Sequence, residues 1–375
     1  MVTKKKFKLK KPIIKFFKII GIILGILLIV FLFYCSQIND LKKLGYSEKA
    51  AKNILVKMKK ESVLEVGKNK TLNVAFESED YKEKNFDSYV KIKYKDKKYL
   101  ISNINNLIKR GYNNDEINII LAHGTGEDVK EFAKRDKVRY LEEFYTYDYA
   151  KIKYYDRYVK YMDENREDEE TSILIVNLGM DQPEYENPTV IEEFSSDMLI
   201  NKYRKLEEDY IPKDLVAISE EDASSADMQA NRTAYIAFKQ MKKDAEKEGY
   251  HLIINSAYRS YKDQIDISNT YLKLYGQNYV NNYVSKPGYS EHQTGLAFDI
   301  GSTDTNVFAK SDEYKWIIDN CYKYGFIYRF KKEYEGITRY RHEAWHYRYV
   351  GKTLAKKLYE KDISLEEYYA IYSDK

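Results

Sequence analysis

Cysteine, proline and histidine are all scarce in this chain of 375 residues, at two, five and five copies. Two Cys exclude a disulfide framework and a zinc module built from several thiolates. Five Pro beside 16 Gly leave no room for a collagen-like or Pro/Gly-rich low-complexity architecture. Basic charge is also scarcer than it first looks. The net charge is +4, yet residues 1–18 hold eight Lys and no acid, and residues 19–35 hold no charge. With those eight set aside, 55 basic residues face 59 acidic ones, a net of −4. A slightly acidic body argues against nucleic acid as the main partner. The remaining composition, 43% apolar and 33% charged, excludes a wholly disordered chain. The length suits two domains of about 150 residues each plus extensions.

Ile19 to Cys35 is an unbroken apolar run of 17 residues. As a helix it spans about 26 Å at ~1.5 Å per residue. Phe16 and Phe17 extend it to about 30 Å if Lys18 snorkels back to the headgroups. The basic flank puts the N-terminus in the cytoplasm and everything after Cys35 outside. A cleaved signal peptide also pairs a basic segment with an apolar one. This run is long for one, however, and no small-x-small cleavage site follows it. Phe33 and Tyr34 are too bulky for a lipidation signal at Cys35. Residues 1–35 therefore read as a cytoplasmic tail and an uncleaved single-pass anchor in the cell membrane.

Residues 36–195 read as mostly helical. Leu41 to Leu55 (LKKLGYSEKAAKNIL) and Leu107 to Leu121 (LIKRGYNNDEINIIL) share a Gly-Tyr pair, a capping Ser or Asn, and an apolar helical period. Two copies are too few for a solenoid, so they predict two similar helical hairpins, with a small ligand-binding module as the sharper alternative. Gly124–Thr125–Gly126 predicts a plain helix start rather than a phosphate loop, because no strand precedes it and acids follow. The acidic stretch Asp163 to Glu170 reads as a solvated loop or helix end, and Ile173 to Val176 as a short strand. Residues 196–375 change texture. Ala234, Phe238, Met241 and Ala245 mark one face of a helix, which Gly249 ends. Strands are expected at His251 to Asn255, Leu296 to Ile300 and Phe326 to Phe330. Ser311 caps a helix, and Ser364 with Glu367 forms a capping box. The irregular alternation predicts an α+β domain, a small mixed or antiparallel sheet with flanking helices.

Three clusters carry chemistry. In the first, Ser290–Glu–His292–Gln–Thr–Gly295–Leu–Ala–Phe–Asp299, a turn at Gly295 can bring imidazole and carboxylate to one ion, and such donors suit zinc. The second is His342–Glu343–Ala344–Trp345–His346. The third is Tyr258–Arg259–Ser260 at a strand end, followed by Gln264. His342 to His346 fits the H-E-x-x-H pattern, which on a helix binds zinc through both His. The flanks Ile337–Thr–Arg–Tyr–Arg and Tyr347–Arg–Tyr–Val350 favour strand over helix. That pattern also needs a third ligand downstream, where Glu360, Glu366 and Glu367 sit in ordinary surface-helix contexts. The favoured reading is that His346 alone joins His292 and Asp299. His123 and His251 read as structural, and Cys321 as a small buried hydrophobe.

These motifs, in this order, resemble the VanY-type D-alanyl-D-alanine carboxypeptidases, relatives of the D-Ala-D-Ala dipeptidases. The resemblance covers about residues 196–375. It rests on Tyr258–Arg259–Ser260, on Ser290-x-His292-x-x-Gly295-x-Ala297-x-Asp299, and on Glu343-x-Trp345–His346-x-Arg348. It implies zinc held by His292, Asp299 and His346, Glu343 as base and Arg259 as electrostatic helper. Ser290 and Gln264 are plausible holders of the substrate's free carboxylate. The implied substrate is the peptide stem of peptidoglycan, trimmed of terminal D-Ala outside the membrane. L,D-carboxypeptidase or endopeptidase activity on the same stems shares the zinc motifs. A non-catalytic wall-binding protein could share the fold, although binding alone needs neither Glu343 nor Arg259. No complete catalytic set falls in residues 36–195, so that region is expected to be dispensable for chemistry on small substrates. In a regular strand positions 343 and 346 face opposite ways, so a bulge or turn is expected at Ala344 and Trp345.

Overall fold

The computed structural model describes residues 11–94, 100–305 and 307–373. The first ten residues, with five of the eight N-terminal Lys, lie outside the described residues. The chain forms two compact units, Met1–Thr146 and Tyr147–Lys375.

The first unit begins with the helix Lys11–Lys43, long and apolar enough to cross a membrane. Most of its apolar side chains are exposed, and its one buried residue is Leu41. The repeated sequence forms two equivalent helix corners. Gly45 and Gly111 take φ of 101° and 90°, a left-handed turn that glycine adopts without a Cβ clash. Tyr46 and Tyr112 then tuck inward, their N–H groups donating to Leu41 O and Leu107 O at 3.1 and 3.2 Å. Ser47 and Asn113 cap the helices Glu48–Val56 and Asn114–His123. Thr125 caps Gly126–Lys134 in a capping box with Asp128, so the Gly-Thr-Gly stretch is a helix start.

The second unit starts well before residue 196. The expected strand at Ile173 to Val176 is instead part of the helix Glu169–Asn177, capped by Asp168. A short apolar run is ambiguous between the two states, and here the cap and two first-turn acids decide for helix. Its four consecutive apolar residues are all buried, so the helix must be covered on every side. Part of that cover is the final helix Leu365–Tyr372, where Asn177 Nδ2 donates to Ala370 O at 3.2 Å.

The heart of this unit is a four-stranded antiparallel sheet. Its strands are β1 (Leu252–Ser256), β2 (Ala297–Ser302), β3 (Phe326–Tyr328) and β4 (His346–Tyr349), in the spatial order β1-β2-β4-β3. The helix Arg232–Lys247 lays Ala234, Phe238, Met241 and Ala245 into one core with Ile254, Phe298 and Ile300. β3 stops at Tyr328, two residues short of the expected end. The sheet and flanking helices match the α+β expectation.

Candidate active site

Asp299 on β2 pairs directly with His346 on β4. Both side chains therefore leave the same face of the sheet. His292 reaches them from the short 3₁₀ turn Glu291–Thr294, which Ser290 caps. The chain leaves that turn through Gly295 at φ 67°, where a Cβ would sit 2.9 Å from Asn231 N. Asp299 Oδ1 lies 3.4 Å from His292 Nε2 and 3.3 Å from His346 Nδ1. It is buried without a hydrogen-bond partner. The three donor groups form the one His/Asp/Glu/Cys cluster among the described residues that could hold a metal ion.

The far nitrogens of both imidazoles are engaged. His292 Nδ1 lies 2.7 Å from Ala257 O. A carbonyl can only accept, so this nitrogen carries the proton and Nε2 faces Asp299 with its lone pair. His346 Nε2 lies 3.0 Å from Glu291 Oε2, which directs Nδ1 at the same point. Burial opposes ionisation of Glu291, yet the guanidiniums of Arg329 and Arg348 hold its carboxyl far below the usual range. For His346 burial disfavours the cation, but Asp299 and Glu291 on either side raise it to about 9. A metal cation at this point competes with that Nδ1 proton.

Glu343 sits beside the cluster, Oε2 3.7 Å from His346 Nδ1. Residues 341–343 have no regular secondary structure, Ala344 and Trp345 form a turn, and β4 begins at His346. That turn replaces regular strand alternation and brings both side chains to one pocket. Burial lifts the Glu343 carboxyl to about 8. His342 turns the other way, its Nε2 bonded to Tyr328 OH, and it does not line the pocket.

Arg259 follows β1, its Nη2 3.8 Å from Asp299 Oδ2. Its fork is held by Gln264 Oε1 at 2.9 Å and Ser256 Oγ at 3.1 Å. Gln264 Nε2 also donates to Ser285 O at 2.7 Å, so this buried amide serves first to orient the guanidinium. Ser290 Oγ accepts from His292 N at 3.3 Å. Both Ser290 and Gln264 line the pocket, together with Tyr271, Tyr279, Tyr283, Tyr289, Tyr340 and the half-exposed Trp345. His251 pairs with Asp304 at the surface, and Cys321 is buried. The sequence reading missed Glu291 altogether. Its sole signal was a carboxylate next to His292, and spacing gave it no role.

Residues 227–352 match the VanY family model, described as D-alanyl-D-alanine carboxypeptidase. The putative carboxypeptidase YodJ of Bacillus subtilis (strain 168) is 42% identical over 179 residues, 46% of this chain and 66% of that protein. The solved LdcB LD-carboxypeptidase is 38% identical, covering 50% of this chain and 92% of that one, with a TM-score of 0.46. A mutant of the vancomycin resistance D,D-pentapeptidase VanY in complex with Zn(II) is 28% identical, covering 46% and 98%, with a TM-score of 0.42. The chain spans 49–66% of the length of the curated relatives it matches.

Proposed function

The C-terminal unit belongs to the VanY family of D-alanyl-D-alanine carboxypeptidases, and from that premise we propose that this chain is a membrane-anchored zinc carboxypeptidase. Its substrate is the peptidoglycan stem peptide, from which it removes the terminal D-Ala. The observation that carries this reading is the convergence of His292, Asp299 and His346 beside Glu343 in one pocket. Two of the donor separations fit the metal, and all three donors lie within 4.8 Å of one another. Tetrahedral zinc with bonds of about 2.0–2.1 Å places neighbouring donors about 3.3–3.4 Å apart, which is the separation of Asp299 Oδ1 from each imidazole nitrogen. A bound ion also supplies a partner for the orphaned Asp299 Oδ1. Two His and one carboxylate leave a position open, as catalytic zinc sites do.

Zinc held there supplies Lewis acidity toward water and the scissile carbonyl. Glu343, held ionised against the effect of burial by the charge of an ion beside it, takes a proton from the attacking water, whose oxygen bonds to the carbonyl carbon. As the C–N bond breaks, Glu343 delivers that proton to the departing amine. Arg259, braced by Gln264 and Ser256, stabilises negative charge developing on the carbonyl oxygen. The tyrosine walls and Trp345 restrict water and shape the channel for the stem. The helix Lys11–Lys43 anchors the chain, with the Lys-rich end in the cytoplasm and the catalytic unit outside, where the substrate lies.

Mass spectrometry of muropeptides incubated with the purified protein tests the reading. Loss of one D-Ala from pentapeptide stems is expected. Loss from tetrapeptide stems alone indicates L,D specificity, cleavage of cross-links indicates an endopeptidase, and unchanged muropeptides indicate a binding protein. Protease added to intact protoplasts is expected to digest the catalytic unit; full protection contradicts the topology.

A further inference from the structure

Glu366 belongs to the final helix, beyond the segment that matches the family model. The pattern of that helix suggests a surface acid, yet Glu366 is 0% exposed. Its oxygens accept both arms of the Arg329 fork, at 2.8 Å from Nη1 and 2.6 Å from Nη2. The third Arg329 nitrogen, Nε, donates to Glu291 Oε1 at 2.9 Å. The other Glu291 oxygen is the partner of His346 Nε2. A continuous buried chain therefore runs from the last helix to the metal-facing imidazole: Glu366, Arg329, Glu291, His346.

Each link constrains the next. A guanidinium pairs most strongly with a carboxylate through two parallel hydrogen bonds. Here Glu366 occupies that fork, which leaves Arg329 a single bond to Glu291. Glu291 therefore keeps one oxygen for His346. Without Glu366 the fork is released, and Arg329 can turn to take both Glu291 oxygens. His346 would then lose the acceptor that holds its ring and directs Nδ1. The charges also balance, since Glu291 and Glu366 face Arg329 and Arg348, whose Nη1 lies 3.4 Å from Glu291 Oε1. Burying four full charges is a costly way to gain stability alone.

We propose that Glu366 is a positioning residue for the metal centre, acting through Arg329 and Glu291 to fix the orientation of His346. This rests on the zinc reading above. If the wild-type protein takes up no zinc, that reading fails first and separately.

The test compares Glu366→Gln and Glu366→Ala with wild type in the full-length protein. Zinc affinity is read by competition with a chelator, and ligand geometry by the visible spectrum of the cobalt(II)-substituted protein. Altering partners of a ligating His costs about 10–100-fold in metal affinity. Glu291→Gln is expected to fall within that range, and the more distant Glu366→Gln near about 10-fold at its lower end. The cobalt spectrum shifts in both, while KM measured in excess zinc stays close to wild type. Glu366→Asp is expected to recover part of the affinity. A folded Glu366→Gln or Glu366→Ala with wild-type zinc affinity and cobalt spectrum overturns the proposal. Should both variants fail to fold, Glu366→Asp, which keeps the charge but shortens its reach to Arg329, is measured in their place, and wild-type zinc affinity and cobalt spectrum in that protein overturn the proposal equally.

Discussion

In the N-terminal unit the buried polar side chains among the described residues are Thr71, Asn85, Asn105 and Glu116, and they serve local geometry. Asn85 donates to Asn105, Asn105 to the Asp80 carbonyl, and Glu116 closes the capping box at Asn113. Among the described residues the C-terminal unit buries ten charged or imidazole side chains, and seven of them, Arg329, Arg348, Glu291, Glu343, Glu366, His292 and His346, converge on or brace one pocket. Desolvating charge is expensive even when it is paired. A fold that needs only stability can do with little of it, and the first unit buries a single such group among the described residues, Glu116. The contrast marks the second unit as the one where chemistry is arranged.

The strongest way to break that contrast is at the ligands. His292→Ala is expected to abolish zinc uptake and hydrolysis together, whereas His342→Ala retains both, as measured by metal analysis and muropeptide assay. If His342→Ala loses metal and Asp299→Ala does not, the H-E-x-x-H reading is correct instead. Next comes Glu343→Gln, which keeps size and hydrogen bonding but removes the base. Turnover should fall by at least about two orders of magnitude with zinc content unchanged. Retained turnover assigns the base elsewhere, and lost zinc makes Glu343 a ligand.

Removing whole segments sharpens the comparison further. Deleting residues 1–146 is expected to leave zinc binding and hydrolysis of a soluble stem peptide intact. Deleting to residue 195 also removes the helix Glu169–Asn177 from its place against the final helix. The cost is at least about 3 kcal/mol, from uncovering more than one apolar side chain at about 1.5–3 kcal/mol each. Thermal melts of the two truncated proteins measure the difference, and equal melting temperatures would show that residues 147–195 do not support the catalytic unit. The smallest effect is expected at Asn113→Ala, which loses a cap worth about 1 kcal/mol. It should lower the melting temperature of the first unit and leave zinc uptake untouched.

Local signals carried far in this chain. The two Gly-Tyr corners, the Thr125, Ser311 and Ser364 caps and the apolar face of Arg232–Lys247 all form as the sequence suggests. Each depends on residues within a few positions of one another, so the pattern is complete in one dimension. Ile173 to Val176 misled because a four-residue apolar run fits a buried strand as well as a buried helix. The turn at Ala344 and Trp345 was legible for a different reason: strand alternation alone could not aim positions 343 and 346 into one pocket.

The sequence by itself determined which side chains could do the chemistry, because imidazole and carboxylate are few here and fall in short motifs. It also determined the length of the apolar run, which is a matter of counting, although the helix that carries it continues from Lys11 to Lys43. Only the tertiary structure decided which far nitrogen of each His is engaged, because Ala257 and Glu291 are brought to those rings by folding. It alone turned Glu366 from a helix-surface acid into the buried partner of Arg329. Residues 291, 346 and 366 lie on separate elements and Arg329 just past the end of β3, and their pairing follows from how those elements pack, a property that no local spacing encodes.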